Sequence, residues 1–110
     1  MEKIYNKLVR DNIPDIIKKD GETPVIRILS DDEYKKELYK KLLEECNELI
    51  SAKTKDDIIE EASDIFEVLS AISELEGRNI DKVIETSSQK RSKRGGFTKR
   101  IFLVKSTKKD

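Results

Sequence analysis

The chain has no histidine and no tryptophan, a single cysteine, and only three Phe and three Tyr among 110 residues. Without histidine, every Ser-His and Cys-His nucleophile and every His-ligated metal is excluded. The lone Cys46 excludes an internal disulfide framework and a cysteine zinc site. No apolar run approaches membrane-spanning length, and Lys3, Lys7, Arg10 and Asp11 interrupt the opening residues, where a leader would carry its apolar stretch. The expectation is a cytoplasmic protein with no membrane partner. Scarce aromatics and an apolar fraction of 35% leave Leu, Ile and Val stripes as the only source of a core. Charged residues make up 42% of the chain, which raises the question of disorder; the zero net charge and regular apolar spacing answer it in favour of folding.

The length fits one domain over residues 1–110, with 105–110 as a frayed tail. Neutrality hides a strong polarity. Residues 30–76 hold 15 acids and 6 bases, whereas 90–110 hold 9 bases and 1 acid. Asn12 and Pro14 open a short helix that ends before Gly21. Ser30 is a good N-cap for a helix to about Ala52, followed by acids that suit its positive end. Thr54 and Asp57 have capping-box spacing for the next helix, which stops at Gly77. A further helix covers about 80–93 and is halted by Gly95-Gly96. These elements make an all-α bundle of antiparallel helices, with at most a small two-stranded β ribbon pairing about 25–29 with 98–104.

Most acids on such helices are solvated. Angular position singles out a few. Glu45 lies three residues after Leu42 and four before Leu49, on the apolar stripe itself, with Glu48 at the stripe's edge. On the following helix Glu61 falls among Ile58, Ile65, Val68 and Ile72, with Asp64 beside it. Two consecutive helices thus each aim an i, i+3 carboxylate pair at the surface they bury against each other. Unpaired, these groups would repel and each would lose hydration at a cost of several kcal/mol. Protonation, pairing with Lys41, Lys53 or a C-terminal Arg, or a divalent cation would each relieve them. An all-oxygen donor set with no His or Cys selects Mg²⁺ or Mn²⁺ over zinc.

Read as a string, Glu44-Glu45-Cys46-Asn47-Glu48 and Glu61-Ala62-Ser63-Asp64 look like the EExxE…ExxD signature of the MazG-like all-α nucleoside triphosphate pyrophosphohydrolases. Two further segments resemble small phosphoribosyl-ATP pyrophosphohydrolase-like members: the run from Tyr5 to Pro14, and Lys90-Arg-Ser-Lys-Arg-Gly-Gly-Phe97. The resemblance implies a MazG-like helical bundle that hydrolyses nucleoside triphosphates between the α- and β-phosphates, giving a monophosphate and pyrophosphate in nucleotide-pool house-cleaning. It implies Glu45, Glu48, Glu61 and Asp64 as Mg²⁺ ligands, with Mn²⁺ the substitute. Lys90 and Arg94 match phosphate-holding positions, and Lys7 and Arg10 would add phosphate contacts. Glu44 or Glu45 would take the proton from the attacking water. The resemblance also implies a homodimer or homotetramer.

Two other readings compete. One is a phosphoribosyl-ATP pyrophosphohydrolase of histidine biosynthesis. The other is a non-catalytic helical module that binds nucleic acid or protein through its basic C-terminal segment; the few aromatics there, Phe97 and Phe102, suggest no stacking platform for bases.

Overall fold

A computed structural model describes residues 1–109, and all the regular structure among them is helical. Asp110, the end of the expected frayed tail, lies outside the described residues. The helices are α1 (Ile13–Lys19), α2 (Asp31–Ser51), α3 (Lys55–Leu75) and α4 (Ile80–Arg94). Their starts follow from the boundary residues. Ser30 Oγ accepts from the Glu33 N–H at 3.3 Å, Thr54 Oγ1 from the Asp57 N–H at 3.1 Å, and Asn79 Oδ1 from the Lys82 N–H at 3.2 Å. Each cap satisfies an N–H that the helix itself cannot, a contribution of about 1 kcal/mol. Gly95 ends α4 at φ +80°, a backbone conformation that a side chain would strain, while its N–H reaches Arg91 O at 2.8 Å.

The short connection at residues 52–54 folds α2 back on α3. Lys35, near the start of α2, pairs with Glu76, just past the end of α3, at 3.0 Å, so the two helices run antiparallel. Their seam is the stripe the periodicity predicts. Leu38 is 2% exposed and Val68 is buried, flanked by half-buried Leu42, Leu49, Ile65, Leu69 and Ile72. Beyond this hairpin the chain is loosely gathered. α4 packs on α3 alone and buries none of its residues, and α1 packs on no other helix. Among the described residues no helix is long and apolar enough to cross a membrane.

The ribbon expected between 25–29 and 98–104 does not form among the described residues. Val25 is 97% exposed and Phe102 88%. A lone two-stranded ribbon is marginal in water unless one face packs against something. Here the side chains of both segments stand largely in solvent, so neither face of such a ribbon is covered, although Leu43, Ile50, Ile59 and Phe66 of α2 and α3 are themselves exposed. The result is an extended molecule, 70 Å in its longest dimension, with a radius of gyration of 19.1 Å. A compact chain of this length would have about 13 Å. Its accessible surface is 10582 Å², against about 6,200 Å² expected for a compact monomer of this mass.

Candidate metal centre

The centre forms because the α2–α3 seam carries acids among its leucines and isoleucines. Glu45 occupies a stripe position on α2 and is driven inside with its neighbours, leaving 6% of it exposed. Glu61 and Asp64 stand one turn apart on α3, both half-buried. One carboxylate oxygen from each of the three lies within 4.8 Å of the others. The crowding is felt most at Glu61. Loss of water contact, then the crowding carboxylates of Glu45 and Glu48, push its carboxyl up to about 7 from an ordinary 4.5.

Three cations surround the cluster. Lys41 Nζ lies 3.4 Å from Glu45 Oε1 and 3.5 Å from Glu44 Oε1, and Lys7 Nζ is 3.5 Å from the same Glu44 oxygen. Arg10 Nη2 donates to Asp64 Oδ1 at 2.6 Å. Pairing with Lys41, one of the ways of relieving these acids, is therefore realised for one oxygen of Glu45. It does not complete the site. Glu45 Oε2 and Glu61 Oε2 are buried and have no hydrogen-bond partner. Lys53 and the C-terminal arginines make no ion pair among the described residues.

Buried polar atoms are nearly always satisfied, so two orphaned carboxylate oxygens on facing helices call for a partner. The unfilled demand is for positive charge, and the donors are all oxygen. Together these fit a hard divalent cation. Glu45, Glu61 and Asp64 are the residues that could hold it.

The other candidates fall around this trio or away from it. Glu48 is exposed and outside the tight group, although its charge reaches Glu61. Glu44 is turned to Lys7 and Lys41 rather than into the cluster. Lys7 and Arg10, read from sequence as phosphate contacts, are bonded to Glu44 and Asp64 at its edge. Lys90 and Arg94 stand exposed on α4, in a depression shared with Thr86, Gln89 and Lys93. A separate depression of about 420 Å³ opens beside the acids, lined by Arg10, Ile59, Glu60, Ser63 and Asp64. The two depressions share no residue. Lys41, Ile59, Glu60 and Ser63 are site neighbours that sequence reading does not assign to function. Lys41 has a visible signal, being four residues before Glu45 on one helix face. Ser63 has only its place one residue before Asp64.

Comparison with known proteins identifies a family for the chain. Residues 33–96, spanning α2, α3 and α4, match the MazG nucleotide pyrophosphohydrolase domain. An uncharacterized protein of Mycolicibacterium smegmatis is 56% identical over 54 residues, 49% of this chain and 55% of that protein. The match thus spans about half the length of that relative. No solved structure matches the chain.

Proposed function

Because the chain belongs to the MazG nucleotide pyrophosphohydrolase domain family, we propose that it is a Mg²⁺-dependent nucleoside triphosphate pyrophosphohydrolase. It cuts between the α- and β-phosphates and releases a nucleoside monophosphate and pyrophosphate, as a cytoplasmic house-cleaning enzyme. The observation that carries the reading is the pair of buried, unpartnered carboxylate oxygens of Glu45 and Glu61, beside Asp64 on the same seam.

In this reading Glu45, Glu61 and Asp64 hold the cation, Mg²⁺ with Mn²⁺ as a substitute, and Glu48 completes the set from the rim. The bound ion supplies a lowered water pKa and neutralises charge on the non-bridging phosphate oxygens. The remaining work belongs to side chains. Glu45, or Glu44 beside it, takes the proton of the attacking water, since the chain offers no histidine for that task. Arg10 and Lys7 stand at the mouth of the acidic cluster, where they can exchange their carboxylate partners for substrate phosphate. Lys90 and Arg94 stabilise the charge that accumulates on the pyrophosphate leaving group. They ride on a helix that touches α3 alone, and this favours a homodimer or homotetramer as the working form.

The test is pyrophosphate release from a panel of canonical and modified nucleoside triphosphates, with and without Mg²⁺, comparing wild type with Glu61→Gln. Metal-dependent release that is lost in the variant is the expected result. A folded protein that releases no pyrophosphate from any of them would refute the reading. Phosphoribosyl-ATP would then be tried as substrate, and after it nucleic-acid binding by the basic segment.

A further inference from the structure

Two apolar segments are left without partners. Residues 24–29 read Pro-Val-Ile-Arg-Ile-Leu and 101–104 read Ile-Phe-Leu-Val, compositions that favour strands. Neither is a strand in the isolated chain, and Val25, Ile26, Ile28, Ile101, Phe102, Leu103 and Val104 all stand in solvent. Such segments present unpaired backbone groups beside apolar side chains and are templates for pairing with another chain.

Their flanks differ in sign. Asp20 and Glu22 immediately precede the first segment, with Lys18 and Lys19 behind them at the end of α1, and Asp31 and Asp32 follow it; none of these four acids makes an ion pair among the described residues. Lys99 and Arg100 precede the second, and Lys105, Lys108 and Lys109 follow it, equally unengaged. Laid side by side in either direction, each end of one segment sets acids against bases. Segments of one kind laid against each other would set like charges together. The match is therefore heterologous, first segment to second.

Surface area points to where the partner comes from. The chain exposes 10582 Å², roughly 4,000 Å² more than a compact monomer of its mass. One partner of an obligate homodimer gives up about 1,000–2,500 Å², half of the interface total, so each chain has more than enough surplus surface for such an interface. We propose that residues 24–29 of one copy pair with residues 101–104 of a second copy, and the reverse, so that two reciprocal inter-chain ribbons seal a homodimer. This rests on the homo-oligomer part of the reading above and is independent of the chemistry at the acids. Antiparallel pairing sets Ile26 opposite Leu103 and Ile28 opposite Ile101 on one face of the ribbon.

The experiment uses the full chain with Cys46→Ser. One population carries a nitroxide at Ile26→Cys and the other at Leu103→Cys, and the two are mixed for pulsed dipolar spectroscopy. The expected inter-chain distance is below about 20 Å, a strand spacing of ~5 Å plus two label arms. Sedimentation then compares wild type with Leu103→Asp, a position already exposed in the isolated chain and so harmless to the helical hairpin. Dimer dissociation should strengthen at least about tenfold, the scale of losing one buried leucine. A chain labelled at both sites whose short distance survives excess unlabelled protein would overturn the proposal, because the ribbon would then lie within one copy. A stable dimer with a long 26–103 distance, unmoved by Leu103→Asp, overturns the seam and leaves the homo-oligomer intact. A monomer at all concentrations overturns both.

Discussion

Replacing Glu61 by Gln should move stability and metal response in opposite directions. The amide keeps the size of the side chain and removes its charge. In the metal-free protein the Glu61 carboxyl sits at about 7, because it has lost water and faces Glu45 and Glu48. Unfolded, it returns to an ordinary 4.5. Between those values the folded chain holds a proton that the unfolded chain has released, so stability falls as pH rises from about 4.5 to 7 and levels off above. Glutamine has no such term. In chelator, the difference in midpoint between variant and wild type should therefore be small at about pH 4.5 and favour the variant at about pH 8.

Cation binding reverses the order. An ion held only by the folded state at about 100 times its dissociation constant adds about 2.7 kcal/mol. In a chain of this size that is roughly 10–20 °C in midpoint, at about 4–8 °C per kcal/mol. Wild type should show this rise with Mg²⁺ or Mn²⁺ and Glu61→Gln should lose most of it. Thermal unfolding followed by circular dichroism, at several pH values with chelator or metal, reads all of this. A wild-type midpoint that ignores both metals would refute the reasoning from the orphaned oxygens. So would a variant that keeps the full response.

Arg10→Ala should cost at most about 1 kcal/mol of stability, since its pair with Asp64 is largely solvated; it should tighten Mg²⁺ binding in calorimetry while raising the KM for nucleotide. Leu38→Ala removes the most buried apolar side chain of the α2–α3 seam and should cost about 2–5 kcal/mol in denaturant unfolding. Lys90→Ala and Arg94→Ala lie on an exposed helix face, so each should leave the midpoint within about 0.5 kcal/mol of wild type. Steady-state kinetics should show each lowering kcat/KM by about tenfold or more, with metal affinity unchanged.

The helices were readable because their signals are local. Ser30, Thr54 and Asn79 each close a cap within three residues, and the Leu38–Leu42–Leu49 spacing needs no knowledge of the rest of the chain. Glu45 and Glu61 were readable for the same reason: a carboxylate at a stripe position must go inside wherever the stripe goes inside. Glu48 sat at the stripe's edge, and a few tens of degrees decided that it stayed on the rim. Arg10 on Asp64 was not readable. That contact joins residues far apart in sequence, and it depends on the path of an N-terminal segment with no periodicity of its own. The ribbon failed differently. Strand composition in 25–29 and 101–104 is real, but propensity cannot say whether a second strand lies within reach.

The acidic centre is also early. Glu45 and Glu61 belong to one helical hairpin joined through residues 52–54 and lie only 16 positions apart, so their meeting is a local contact. Helices form in about a microsecond or less, and closing a loop of about ten residues takes tens of nanoseconds. Chains rich in such local contacts fold in microseconds to milliseconds. Carboxylates would therefore be pressed together in the first compact species, before α4 has found any neighbour beyond α3. At neutral pH their repulsion opposes the step that buries Leu38 and Val68, and a divalent cation removes that opposition. Refolding should accordingly run faster with Mg²⁺ in the buffer than in chelator, with the ion serving as a template for the hairpin before it serves any substrate.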